Sequence, residues 1–222
     1  MIVHQVFGLL GDEMPQLFVD CKERIKKWCK KNNYEYKFWN KSDCDNLIKT
    51  KYPKYQNLYD NVKYPIMKVD IIRWIILHND GGIYMDLDVD PLINDLIDSD
   101  LVLGKKVLNG TKGFFYEPEL IQMKKNNPIS LEVLDYIITQ IEIKNKIDIY
   151  EDWKCRYVLQ TTGPKSISRF FKKKKIDTYL LTYGSTYIKK NEKLDKLHSN
   201  YDFISHPSCS WIPSMKNLTE IH

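Results

Sequence analysis

The stretch that most constrains this chain runs from residue 65 to residue 91. Pro65 opens a segment of helical period in which Ile66, Val69, Ile72, Ile75 and Ile76 supply a buried side. Asp80-Gly81-Gly82 ends it, because glycine takes up the backbone conformation that a helix terminus requires. Ile83-Tyr84-Met85 then reads as a very short strand delivering Asp86-Leu87-Asp88-Val89-Asp90, and Pro91 stops it. A helix turned this tightly into a strand is a building unit of α/β domains.

The same alternation is already visible at the amino-terminal end. Met1 to Phe7 is an apolar run ending at Gly8, expected as a first buried strand. From Pro15 a helical stretch carries Phe18, Cys21, Ile25, Trp28 and Cys29 on one face and Lys22, Glu23, Lys26 and Lys27 on the other. Tyr34 to Trp39 reads as a second strand, and Ser42, with Asp45 three residues on, is expected to cap a short helix. Further along come a strand near Leu101 to Leu103 and a helix from Pro128 through about Ile143. A Thr161-Thr162-Gly163-Pro164 turn and an irregular segment from Asp202 to Pro213 follow. No linker or repeat interrupts this order, so residues 1–222 are expected to form one domain with a largely parallel sheet.

Charge and cysteine usage exclude several functions. The chain has 34 basic and 29 acidic residues, a mixed balance of +5. Nucleic-acid binders concentrate positive charge on one face, so no nucleic-acid partner is expected. The run Lys172 to Lys175 follows an apolar segment and reads as a solvated helix end. Cys21, Cys29, Cys44, Cys155 and Cys209 are scattered without a CxxC pair, which points to reduced, packed thiols instead of a zinc site or a disulfide framework. No apolar run approaches the roughly 18 residues of a membrane helix, and the first residues lack the pattern of a secretory leader. The expectation is a cytoplasmic protein with no transmembrane anchor.

The chemistry concentrates at Asp86-x-Asp88. Two close carboxylates repel one another unless a cation or a proton intervenes. Oxygen-only ligands suit Mn2+ or Mg2+, which keeps several waters and takes its other ligands from substrate phosphates. In the helix before the motif, Asp70 and Arg73 stand at i and i+3 and so share a face. They are either a surface ion pair or a pair in which Asp70 accepts hydrogen bonds from sugar hydroxyls while Arg73 supports the sugar or a phosphate. Gly81-Gly82 permits close backbone approach to a ligand. Ile83 to Val89 also fits the signature of haloacid-dehalogenase-type phosphatases, with Asp86 as nucleophile, although there the motif sits on the first strand. A non-catalytic sugar-nucleotide-binding domain is the other alternative. An EF-hand loop starting at Asp86 fails, because Pro91 and Ile97 stand where Gly and Glu are required.

The run Pro65-Ile66-Met67-Lys68-Val69-Asp70-Ile71-Ile72-Arg73 through Gly81-Gly82-Ile83-Tyr84-Met85-Asp86-Leu87-Asp88-Val89 closely resembles the DXD sugar-binding region of glycosyltransferase family 32. That family includes yeast initiating mannosyltransferases and capsule-synthesis enzymes, and the glucosylating clostridial toxins carry a similar stretch. Val3-His4-Gln5-Val6-Phe7 is similar to the family's opening strand, whose aromatic end stacks on the nucleotide base. Phe38-Trp39-Asn40 resembles its second strand, and Thr162-Gly163-Pro164 its turn near the acceptor side. His206, Ser210 and Trp211 resemble its late segment that closes over metal and phosphates.

The resemblance implies an α/β fold of the GT-A type: a Rossmann-like nucleotide-sugar-binding domain with a mixed, mostly parallel sheet and the donor at the carboxyl ends of the strands. It implies a retaining enzyme that moves a hexose from a nucleotide-diphosphate sugar, a UDP-sugar ahead of GDP-mannose, to a glycan, protein or lipid-linked acceptor. Mn2+ or Mg2+ would be held by Asp88 directly, with Asp86 and His206 as the other metal-site residues. Asp70 and Arg73 would orient the sugar and Tyr84 would lie beneath it. Val6, Phe7, Gly82, Leu87, Ser210 and Trp211 would complete the donor contacts.

Overall fold

A computed structural model describes residues 1–11, 13–92, 98–107, 113–145, 154–185 and 202–206. Strand β1 (Ile2–Val6) leads through helix α1 (Gln16–Lys31) to β2 (Glu35–Trp39) and α2 (Lys41–Lys51). After a 3-10 turn (Pro53–Tyr55) and the short α3 (Gln56–Asp60) comes α4 (Ile66–Asp80), then β3 (Gly82–Met85) and β4 (Val89–Pro91). The remainder is β5 (Leu101–Val107), β6 (Phe114–Met123), α5 (Ile129–Asn145), α6 (Lys154–Thr161), α7 (Pro164–Lys174), β7 (Tyr179–Ser185) and β8 (Phe203–Ser205).

The strands lie in the order β2-β1-β3-β6-β5-β7-β8-β4. β1 pairs parallel with β2 and β3, and β7 pairs parallel with β5 and β8. β6, inserted between β3 and β5, runs antiparallel to both, and β4 runs antiparallel to β8. The sheet is therefore mixed and mostly parallel, of the GT-A kind.

Alternation along β3 explains the two cores. Ile83 and Met85 join Val3, Ile25 and Cys29 on the α1 side, whereas Tyr84 joins Ile71, Ile72 and Trp74 on the α4 side. α4 is apolar nearly all round, with Met67 and Asp70 through Leu77 buried, as expected for a helix sealed between a sheet and other helices. The chain can pass from α4 into β3 only through glycine. Gly81 and Gly82 have φ of 68° and 95°, and a Cβ on Gly82 would stand 2.3 Å from the Ile2 carbonyl oxygen. The close approach that Gly82 permits is thus to β1.

Several local expectations shift. The cap of α2 is Asn40, not Ser42: Asn40 Oδ1 accepts from the Asp43 N–H at 2.9 Å, and Asp43 returns a bond to the Asn40 N–H at 3.0 Å. Asn40 is the residue with extended backbone just before the helix, which a cap requires. The acidic run after β3 is not one strand stopped by Pro91. The chain turns at Leu87–Asp88 and re-enters the sheet as β4, where Pro91 occupies a paired position opposite Phe203. The segment from Asp202, expected as irregular, contributes β8. The Lys172–Lys175 run does close a helix, α7.

Candidate active site

β3 ends at Met85, and the next backbone N–H, that of Asp86, donates to the Glu119 carbonyl of β6 at 2.8 Å. The Asp86 carbonyl accepts from Gln5 Nε2 at 3.3 Å, and Gln5 Oε1 accepts from the Tyr36 hydroxyl at 2.8 Å. Three strands therefore fix the backbone of the first acidic residue. Its side chain shares a face with Tyr84, two residues before it, and the Tyr84 hydroxyl donates to Asp86 Oδ1 at 2.6 Å.

One helical turn of α4 brings Asp70 and Arg73 to the same place. Arg73 Nη2 lies 2.9 Å from Asp70 Oδ1 and 3.5 Å from Asp86 Oδ1. Its Nη1 donates to the Pro118 carbonyl at 2.7 Å, and its guanidinium lies 4.9 Å from the Tyr84 ring centroid. Asp70 Oδ2 accepts from the Thr162 hydroxyl at 2.6 Å. Side-chain exposures of 4% for Arg73 and 9% for Asp70 rule out the surface-pair reading, while 22% leaves Asp86 open to a ligand. Losing one partner of such a buried pair leaves an uncompensated charge.

β6 adds two carboxylates that sequence reasoning missed, Glu117 and Glu119. The β5–β6 ladder slips between Leu103 and Gly104, skipping from Ile121 to Glu117, so Pro118, Glu119 and Leu120 bulge from it. Bulges commonly re-aim side chains beside active sites. A proline inside a strand is tolerated at a bulge, yet in sequence it argues against a strand, which is why this segment was not legible.

The electrostatics follow from this crowding. Burial raises the Asp70 pKa, with Arg73 and the Thr162 hydrogen bond working against the rise. The surrounding protein likewise raises that of Asp86, opposed by Arg73 and the Tyr84 hydroxyl. Glu117 is pushed up to about 7 by burial, and Glu119 well above the usual range by burial and then by Glu117, Asp88 and Asp86. Burial works against the Arg73 charge, but Asp86, Tyr84 and Asp70 outweigh it and raise its pKa. Glu119 Oε2 is buried without a close hydrogen-bond partner among the described residues, and the Ser205 hydroxyl facing that carboxyl only partly opposes the rise of its pKa. An all-oxygen donor set with excess negative charge and an unmet acceptor fits a hard divalent cation.

Asp88 stands half-buried in the turn, and its carbonyl accepts from the His206 N–H at 2.7 Å. The His206 imidazole points instead to Asp90, with Nε2 2.8 Å from Oδ2. Cys21, Asp90 and His206 bring potential ligand atoms within 4.8 Å of one another. Arg24 already occupies that spot, since its Nε lies 2.9 and 2.8 Å from the two Asp90 oxygens and its Nη2 2.9 Å from Cys21 Sγ. His206 therefore braces the Asp88 turn through its backbone. Tyr84, 1% exposed, meets the site through its hydroxyl on Asp86 and its ring beside Arg73. Leu87 is buried, Val6 lies in the α4-side core, and Phe7 is part-exposed at the end of β1. Ser210 and Trp211 lie outside the described residues.

Residues 18–103 match the family model described as "Glycosyltransferase sugar-binding region containing DXD motif". The inositol phosphoceramide mannosyltransferase 3 of Schizosaccharomyces pombe is 32% identical over 134 residues, 57% of this chain and 36% of that protein. The mannosyl phosphorylinositol ceramide synthase CSH1 of Saccharomyces cerevisiae is 27% identical over 214 residues, 95% of this chain and 52% of that protein. The chain thus spans about half, or less, of the length of these curated relatives. Among solved structures, "PaToxG Glycosyltransferase" superposes with a TM-score of 0.54 at 15% identity, covering 78% of this chain and 68% of that one, a likeness of fold.

Proposed function

From a chain that carries the DXD-containing sugar-binding region of the glycosyltransferases, we propose a metal-dependent transferase that moves a hexose from a nucleotide-diphosphate sugar to a hydroxyl acceptor. The observation that carries this reading is the joining of Asp70, Arg73, Tyr84 and Asp86 into one buried network at the carboxyl end of β3, with Asp88 in the turn beyond it. In open α/β sheets that edge is where ligands bind.

Asp88, with Asp86, would hold Mn2+ or Mg2+, which supplies neutralisation of the charge that builds on the departing diphosphate. Arg73 opposes the protonation that burial favours at Asp70 and Asp86 and fixes both carboxylates, so that their remaining lone pairs can accept from sugar hydroxyls. Tyr84 and Thr162 hold each carboxylate in one rotamer, a pre-organisation that positioning catalysis requires. Retention is the proposed stereochemistry. The acceptor oxygen attacks on the face the diphosphate leaves, its proton passes to the departing phosphate oxygen, and no enzyme nucleophile is consumed.

The names of these relatives make mannose and inositol phosphoceramide the first sugar and acceptor to test, with GDP-mannose beside the UDP-sugars as donors. Among the described residues, no helix is long and apolar enough to cross a membrane. Cys21, Cys29 and Cys44 are buried thiols outside any disulfide, which supports action in a reducing compartment such as the cytoplasm.

The test is donor turnover, measured as release of nucleoside diphosphate from a panel of nucleotide-sugars with and without Mn2+. Turnover should require the metal and fall by about 10²–10³-fold in Asp88→Ala, the scale of losing one transition-state charge stabiliser. Full activity in that variant would remove the metal assignment. Release of phosphate from a generic phosphomonoester, with Asp86 essential, would favour the phosphatase instead.

A further inference from the structure

We propose that Glu119 is a third carboxylate ligand of the divalent cation, beside Asp86 and Asp88, an inference that rests on the cation site proposed above. The bond from the Asp86 N–H to the Glu119 carbonyl, 2.8 Å, sets these residues opposite one another across neighbouring strands. Directly opposed residues project to the same face of a sheet, so the two carboxylates share it. The bulge at Pro118–Leu120 releases Glu119 from the β5 ladder and turns β6 towards the DXD turn.

What singles Glu119 out is its unmet acceptor. Asp70 is held by Arg73 and Thr162, and Asp86 by Arg73 and Tyr84. Glu119 Oε2 is buried with no close hydrogen-bond partner among the described residues; only the Ser205 hydroxyl offsets the charge of its carboxylate neighbours there, Glu117, Asp88 and Asp86. The nitrogens of Arg73 are directed to the Val69 and Pro118 carbonyls and to the carboxylates of Asp70 and Asp86. A buried carboxylate oxygen without a close donor is costly unless it takes up a proton or a cation meets it, and a cation would meet Glu119 and the DXD carboxylates together. Ser205 of β8, whose hydroxyl faces the Glu119 carboxyl and whose backbone pairs with Val89, the residue after Asp88, marks the same spot from the other strand. Hard oxygens in this arrangement are the ligands Mn2+ and Mg2+ take.

The experiment uses MnCl2 alone as the probe, titrated into the full chain with free Mn2+ read by electron paramagnetic resonance. Wild type, Glu119→Gln, Glu119→Asp and Asp88→Asn are compared, each first checked for cooperative thermal unfolding without metal. Glu119→Gln is expected to bind Mn2+ at least about tenfold more weakly, and Glu119→Asp to lie between it and wild type, a drop at least as large as losing a ligand's supporting contact. Wild-type affinity in Glu119→Gln, with Asp88→Asn impaired, overturns the role of Glu119 and leaves the DXD reading standing. If wild type itself fails to take up Mn2+, alone or with added UDP or GDP, the cation reading and this inference fall together. Should Glu119→Gln not fold, a Glu119→Asp variant indistinguishable from wild type overturns the proposal by itself.

Discussion

At the scale of single residues, three donors, Arg73, Tyr84 and Thr162, share the carboxylates of Asp70 and Asp86. Tyr84 Oη contributes a 2.6 Å bond to Asp86 and Thr162 Oγ1 a 2.6 Å bond to Asp70. A hydrogen bond to a charged group is worth about 1.5–3 kcal/mol, so Tyr84→Phe should lower donor turnover by about tenfold or more while the fold survives. Steady-state kinetics check this, with the loss expected in kcat, since Asp86 still binds but is no longer held in one rotamer. Unchanged kcat would make the Tyr84 hydroxyl a packing feature only. The grouping of Asp70, Arg73 and Asp86 was legible in sequence because helical spacing and a strand end bring them together, with Asp88 in the turn beyond. Glu117 and Glu119 were not, because their position depends on a bulge around Pro118 and on which strand lies beside β3. Thr162, by contrast, was noticed only as part of a turn; its reach to Asp70 spans 92 positions of sequence.

At the scale of elements, the passage from α4 to β3 decides whether the acidic turn is delivered at all. Gly82 has φ of 95°, and any Cβ there meets the Ile2 carbonyl oxygen at 2.3 Å. Gly82→Ala combines a left-handed backbone with overpacking against a strand, so chemical denaturation should show a loss of about 2–4 kcal/mol. A cost below about 1 kcal/mol would mean that β1 yields. The capping box of α2 makes a second prediction of this kind: Asn40→Ala should cost about 1 kcal/mol by the same measurement, and Ser42→Ala a few tenths. Sequence placed a cap within two residues of the true one, since Asn40–Asp43 and Ser42–Asp45 have equal spacing. Only the end of β2 at Trp39 decides between them. The strand identities of β6, β7 and β8 were illegible for a related reason: non-local pairing, not local period, makes them strands.

For the molecule as a whole, the buried polar contacts between strands and helices set the pH response. His4, fully buried on β1, accepts from Trp39 Nε1 at 3.1 Å through Nδ1, which leaves Nε2 as the donor to the Gly81 carbonyl at 2.8 Å. Burial lowers its pKa from 6.5 to about 4. In the unfolded chain it takes up a proton as pH falls through 6.5, whereas the folded protein resists until about 4. Stability from this group is therefore complete above pH 6.5, is lost progressively between 6.5 and 4, and amounts to about 3 kcal/mol. Denaturation midpoints at pH 7 and pH 4.5 check this, with His4→Gln expected to flatten the dependence. An unchanged slope in the variant would assign the acid sensitivity elsewhere. The α/β class and a largely parallel sheet were legible from the alternation of elements, and its mixed character only from the family resemblance; the order in which β6 and β4 enter it was not, because loop lengths do not encode antiparallel insertion.

The central claim is that a divalent ion joins the acidic pair at the end of β3 to a nucleoside diphosphate, and crystals grown with MnCl2 and GDP or UDP test it most directly through the anomalous signal of manganese. One strong peak is expected within coordination distance of both the Asp88 carboxylate and the diphosphate oxygens. A nucleotide bound at that strand edge with no peak beside Asp88, or manganese held elsewhere with the acidic pair turned away from it, would contradict the claim.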